Sequence, residues 1–283
     1  MKKTLSIGLI SVIMLSSCNS YNKILKSSDY DYKYEAAKEY YASGQYSRAY
    51  QLLEGLVIPM KGYDKGEECL FMLSMCYYNI HDYETASMYL ERYVKSYPKG
   101  QYTELARFYC GKAQYKQSPD PRLDQSPTYS ALNTLQEFLD FHPYSTHREE
   151  VNDMIYELQD RLVDKEYLGA KLYYDLGSYN GNTIFGGNNY EASIITAENA
   201  LKTFPYTRKR EDLYMLILRC RFKLAQYSVA EKSDERFRQT IDEYFGFKNE
   251  FPESKYTKEA DNIYKQALAK TIKSKKASPA TAE

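Results

Sequence analysis

The apolar positions of this chain come in pairs of helical stripes separated by short polar breaks. Between Glu67 and Gly100, Leu70, Leu73, Met75, Cys76, Tyr77 and Tyr78 form one stripe, and Ala86, Leu90, Tyr93 and Tyr97 form a second, in steps of three and four residues. His81-Asp82 breaks the two, and Pro98 closes the unit. A single helical hairpin cannot bury both stripes, so this pattern predicts neighbours of the same kind stacked against it.

The neighbours are legible by counting back from prolines. Residues at −15, −12, −8 and −5 from Pro98 are Tyr83, Ala86, Leu90 and Tyr93. The same offsets give Thr128, Ala131, Leu135 and Phe138 before Pro143, Tyr190, Ser193, Ala197 and Ala200 before Pro205, and Phe237, Thr240, Tyr244 and Phe247 before Pro252. Tyr97, His142, Phe204 and Phe251 precede these prolines, and an earlier copy runs from Asp31 through Gly44-Gln45-Tyr46 and Ala49 to about Pro59. A small residue packed between helices and a proline that stops the second helix resemble the tetratricopeptide repeat.

The expected fold is therefore all-α, an α-solenoid of about five tetratricopeptide-like hairpins over residues 31–273, with a capping helix from Tyr256 to Lys273. The third interval holds an unusually long helical run from about His147 to Leu176. Three stretches exceed the ideal repeat, Ser118–Thr128 with three prolines, Gly181–Asn189 with three glycines, and charged residues around Glu231–Arg236. All three are expected as loops on one face. Residues 274–283, rich in Ala, Ser, Thr and Pro, are expected as a disordered tail.

The first 17 residues change the picture from a repeat protein to a secreted one. Lys2 and Lys3 precede an apolar run from Leu5 to Leu15, the length of a signal-peptide core and too short to span a bilayer. Leu15-Ser16-Ser17-Cys18 resembles the bacterial lipobox, so Cys18 is expected to be acylated and to begin the mature chain. Residues 18–30 read as a lipid-anchored tether. Cleavage leaves 36 basic and 38 acidic side chains, a balance of −2, which argues against a nucleic-acid partner held by phosphate neutralisation. Asn19 and the absence of an acidic cluster in Ser20-Tyr21-Asn22-Lys23 favour an outer-membrane anchor with the body facing the periplasm.

Candidate chemistry is sparse. Cys69, Cys76, Cys110 and Cys220 have apolar neighbours and no zinc-ligand spacing, and they read as small buried hydrophobes. His81, His142 and His147 are the only imidazoles, His81 and His142 lack partners at ligand spacing, and Gly181, Gly186 and Gly187 lack the Gly-Lys-Ser/Thr of a phosphate loop. No enzyme, cofactor or metal is expected. Binding is, because the first helices of stacked hairpins form an extended face. The positions expected on it are Tyr34, Lys38 and Tyr41, then Phe71, Met75 and Tyr78, then Phe108, Lys112 and Tyr115, and finally Met215, Arg219, Phe222 and Lys223. Alternating rings and cations suit an extended peptide with aromatic side chains and a terminal carboxylate.

The lipobox, the short tether and five degenerate hairpins together resemble the BamD family of outer-membrane lipoproteins. Asp160-Arg161-Leu162, Glu166, Ala170, Tyr173, Gly177 and Tyr179 look like that family's long fourth-repeat helix, and Phe251-Pro252-Glu253-Ser254-Lys255-Tyr256 with Glu259-Ala260 looks like its close of repeat five. The resemblance implies a non-enzymatic assembly factor. Its amino-terminal repeats would receive the extended carboxy-terminal segments of unfolded β-barrel precursors. Its carboxy-terminal repeats would dock on the periplasmic domains of a BamA-like barrel subunit, in company with other subunits of the assembly complex. The alternative is a SusD-like nutrient-binding lipoprotein partnering a TonB-dependent transporter. Such proteins look larger and usually stack sugars on tryptophan, of which this chain has none.

Overall fold

Each second helix stops where its proline forbids it to continue. In the computed structural model, which describes residues 21–177, 179 and 188–277, the residues before the four prolines adopt nearly one conformation. Tyr97, His142, Phe204 and Phe251 have φ of −130°, −130°, −128° and −129° with ψ of 65°, 61°, 70° and 70°. The proline ring excludes its predecessor from the α region, so the same exit geometry recurs in each repeat.

The regular secondary structure of the described residues is all helix, in the sequential hairpins that the stripes predict. Helices α1 (Tyr30–Ala42) and α2 (Tyr46–Glu54) form the first hairpin, α3 (Asp64–Asn79) and α4 (Tyr83–Ser96) the second, and α5 (Thr103–Gln117) and α6 (Ser126–Phe141) the third. Helix α7 (Arg148–Leu176) is the predicted long run, 29 residues, and pairs with α8 (Asn189–Thr203). Helices α9 (Arg210–Gln226) and α10 (Ala230–Glu250) make the fifth hairpin, and α11 (Thr257–Ala277) packs on both. Among the described residues no helix is long and apolar enough to cross a membrane.

Local chemistry sets the boundaries. Asp29, Asp82 and Asn188 cap α1, α4 and α8 by accepting backbone N–H groups from Tyr32, Thr85 and Tyr190. Gly44 turns α1 into α2 at φ +74°, a left-handed conformation that glycine adopts without a Cβ penalty. His81 takes φ +66° in the equivalent turn of the next hairpin.

The proline register is the packing register. Ala86, Leu90 and Tyr93, like Thr128, Ala131, Leu135 and Phe138, are fully buried, and Ser193, Ala197, Ala200, Thr240 and Phe247 are buried at the same offsets. The buried Ser193 hydroxyl donates to the Ala170 carbonyl at 2.7 Å, which satisfies it inside the core. Gly111 on α5 marks a close approach to α6, where a Cβ would meet Leu135 Cδ2 at 2.6 Å.

The chain forms two compact units, Met1–Pro119 with Gln125–Ile155 and Asp120–Asp124 with Tyr156–Glu283. The first has one continuous core through α1 to α5, and the second has a core of α7, α8 and α9 beside one of α9, α10 and α11.

Two expectations change in detail. The charged residues 231–236 are not a loop but the first turns of α10, because Ala230, Glu231, Lys232 and Glu235 favour helix and Arg236 is tied to Glu191 at 3.0 Å. Residues 274–277 belong to α11 rather than to a tail. Ser118–Thr128 closes on itself, with Ser118 Oγ 2.6 Å from Thr128 Oγ1, and Thr128 donates to the buried Gln125 at 2.7 Å. The signal peptide, Cys18, most of the 181–189 insertion and residues 278–283 lie outside the described residues.

Candidate functional site

The expected binding positions separate by depth along each first helix. In the first unit, Tyr34, Phe71, Met75 and Phe108 are buried. Tyr34 donates its hydroxyl to Glu68 on α3, and Phe71 stacks on Tyr102 with ring centroids 4.5 Å apart at 6°. Phe108 stacks on His147 at 4.0 Å. These aromatic side chains are core, because the start of the next first helix covers them.

The cations are held as well. Lys38 pairs with Glu68 at 2.9 Å and Lys112 with Glu150 at 2.6 Å. Arg219 grips Glu259 through two bonds of 2.7 Å and lies 5.2 Å from the Tyr256 ring centre. Each pair links a first helix to the first helix that follows it in the packing or the chain. Burial alone would raise the Glu68 carboxyl, but the Tyr34 hydroxyl and the Lys38 ammonium outweigh it and hold the group below the usual carboxylate range. In the second unit Met215 and Phe222 are buried, Phe222 against Phe237 at 6.2 Å, and Lys223 is partly exposed.

Tyr41, Tyr78 and Tyr115, at the ends of the first three first helices, remain partly exposed. Tyr41 meets Tyr46 edge-on at 5.6 Å, and Tyr78 meets Tyr83 at 5.4 Å and Tyr109 at 5.0 Å, both T-shaped. Burial, reinforced by neighbouring phenols and Cys76, pushes Tyr41 up to about 12, and burial beside Tyr83, Tyr109 and Glu150 does the same to Tyr78. Both hydroxyls therefore stay neutral donors at any physiological pH. Half-exposed rings with fixed edges and neutral hydroxyls can stack on side chains and donate to carbonyls of an extended segment.

A set of positions that the backward count did not reach holds successive repeats together. Four residues after each proline stand Tyr102, His147, Lys209 and Tyr256. Tyr102 and His147 cover Phe71 and Phe108, and the Lys209 ammonium lies 5.3 Å from the Tyr167 ring. Two residues after the later three prolines, Ser145, Thr207 and Ser254 donate to Glu104, Asp160 and Glu211 at 2.6, 3.1 and 2.5 Å. The same oxygens accept the N–H of His147, Lys209 and Tyr256. A count forward from the later three prolines finds this clasp. It also gives Asp160 its task, since the carboxylate pairs with Arg208 at 3.1 Å while receiving Thr207.

The described cysteines are free and buried. Burial pushes the thiols of Cys69, Cys76 and Cys110 up to about 12 and that of Cys220 to about 11, which makes them inert packing groups. Among the described residues no group of three His, Cys, Asp or Glu side chains is placed to hold a metal ion.

Among solved structures the chain is similar to a Podosopora anserina protein described as a kinesin light chain with nearly identical TPR-like repeats. One crystal structure of those repeats, a variant form, shares 15% identity over 86% of this chain and 95% of that one, at a TM-score of 0.32. A second shares 14% identity over 81% of this chain and 100% of the other, again at 0.32. No curated protein matches. The profile of the YfiO family, described as outer membrane lipoprotein, matches residues 27–181, more than half of the chain and every helix from α1 through α7. The chain belongs to the YfiO outer-membrane lipoprotein family, the BamD family that its repeats resemble, and with it to the non-catalytic assembly of outer-membrane proteins.

Proposed function

We propose that this protein is a periplasm-facing scaffold, held in the outer membrane by acylated Cys18, that receives extended carboxy-terminal segments of unfolded β-barrel precursors. The first unit binds these segments, and the carboxy-terminal hairpins dock on the periplasmic domains of a BamA-like barrel subunit. The observation that carries the reading is the row of half-exposed rings on successive first helices, Tyr41, Tyr78 and Tyr115, with Tyr109 between them. A barrel precursor's last strand offers alternate aromatic side chains and a free carboxylate, which such rings and the partly exposed Lys38 and Lys112 suit. The cations are already paired, so the carboxylate exchanges with Glu68 or Glu150 and adds modestly, while the rings supply most of the affinity.

Fluorescence polarisation with a labelled barrel-strand peptide ending in phenylalanine tests this. The double variant Tyr41→Ala/Tyr78→Ala is expected to weaken binding about tenfold or more, corresponding to about 1.4 kcal/mol. Tyr129→Ala, on the second helix α6 and 54% exposed, should bind as the parent does. Equal affinities for the parent and the double variant, with melting unchanged, would remove the ring surface from the account.

A further inference from the structure

The tether predicted for residues 18–30 is not free once it reaches Tyr21. Residues 21–25 form a helical turn, closed by Lys26 N–H to Asn22 at 3.2 Å and Ser27 N–H to Ile24 at 3.0 Å. Tyr21 anchors it. Its hydroxyl lies 3.1 Å from the Arg48 carbonyl oxygen and 2.9 Å from Gln51 Oε1, sharing one proton between two acceptors on α2. The ring meets Tyr40 edge-on at 5.6 Å, and the Arg48 guanidinium lies 5.6 Å from both ring centres. Ile24 packs against the core of the first unit.

This docking limits how far the body can stand from a membrane. Cys18 precedes Tyr21 by three residues, a reach of at most about 11 Å for extended chain. The helical turn adds only about 1.5 Å per residue, so Lys23 and Lys26 remain close to the anchor. The resulting upper limits, about 14 Å for Lys23 and about 18 Å for Lys26, are roughly one and a half to two Debye lengths at physiological salt, so an anionic surface still acts on both lysines in attenuated form. Lys23, Leu25, Lys26 and Tyr30 are exposed, and neither lysine has an ion pair among the described residues. The nearby acids are engaged, Asp29 in capping α1 and Asp31 in pairing with Lys65 at 3.0 Å.

From this we infer that residues 21–30 are a strap that lays the first hairpin against the phospholipid headgroups, with Lys23 and Lys26 on lipid phosphates and Leu25 and Tyr30 in the interface. The inference rests on acylation of Cys18 as proposed above. A chain clipped to its own body three residues from its lipid has little rotational freedom, so the first unit holds a fixed face toward the bilayer.

Energy transfer reads this directly. The full acylated chain carries a donor at Ser28→Cys in phosphatidylethanolamine–phosphatidylglycerol vesicles with acceptor-labelled headgroups. The described cysteines stay unlabelled because they are buried. Transfer is expected to be high in the parent, to fall by about half or more in Tyr21→Ala/Arg48→Ala, and to fall less in Tyr21→Phe, which keeps the ring and loses both hydrogen bonds. Lys23→Glu/Lys26→Glu should lower transfer when phosphatidylglycerol is present and leave it unchanged when phosphatidylcholine replaces it. If every chain sediments with the vesicles and transfer is the same with and without the Tyr21 contacts, the strap is overturned while the anchor stands. If the parent chain does not sediment with vesicles, the anchor reading falls and the strap falls with it.

Discussion

Ala86→Asp is expected to cost at least about 3 kcal/mol and to lower the melting temperature by roughly 6–12 °C. Ala86 is fully buried on α4, which packs on both α3 and α5, and it belongs to the continuous core of the first unit. A carboxylate there is shut off from water within an apolar core, so it either remains charged at high cost or pushes the helices apart. Against a total stability of about 5–15 kcal/mol for a typical domain, that loss is a large fraction. Met88→Asp, two residues on and 58% exposed, should change stability by no more than about 0.5 kcal/mol. Thermal melts of the two variants check the register together. Similar melting of Ala86→Asp and the parent would contradict the packing derived from the proline count.

Cys18→Ala is expected to move the protein entirely from the membrane to the soluble fraction. The uncleaved apolar run from Leu5 to Leu15 is too short to span a bilayer, and no described helix is long and apolar enough to cross one. Lipid anchoring gains about 0.8 kcal/mol for each buried methylene, whereas a lysine at an anionic surface contributes about 1 kcal/mol. Lys23 and Lys26 alone therefore cannot hold the chain. A second variant separates anchoring from processing: the mature chain from Asn19 placed behind an ordinary cleavable secretory signal. Fractionation of both, beside the parent, gives the answer, and retention of the Asn19 chain on membranes would contradict the lipid-anchor reading.

The repeat was legible because two physical constraints are written in sequence. A helix periodicity selects which residues share a face, and a proline fixes where the helix must end, so Ala86, Ala131 and Ala197 could be placed without coordinates. Depth along a face was not legible. Tyr34 and Tyr41 lie on one stripe of α1, yet one is core and bonded to Glu68 on α3 while the other is half-exposed at the helix end. Periodicity says nothing about where along its length a neighbour lies. The same limit hid the clasp at Ser145, Thr207 and Ser254, which bonds across more than forty residues of chain. It hid Tyr21 too, since an isolated aromatic in a polar stretch carries no period, and its partners on α2 lie 27 and 30 residues away.

The ion pairs were not legible for a related reason. Lysine and arginine on a stripe of rings read as an open cationic face, but their acids sit on the same face of another repeat, as Lys38 with Glu68 and Arg219 with Glu259. Such pairs orient the helices and contribute little each when half-exposed. In the reading proposed above, the rings at the helix ends supply most of the affinity and the paired cations add modestly.

The central claim is that this lipoprotein works as part of the machinery that assembles outer-membrane proteins. Affinity purification of the tagged, acylated chain from detergent-solubilised membranes, with co-purifying proteins identified by mass, tests it most directly. The account predicts a large barrel protein bearing periplasmic repeat domains, recovered with the parent and lost when the carboxy-terminal hairpins are disrupted. Recovery of a TonB-dependent transporter in its place would contradict it.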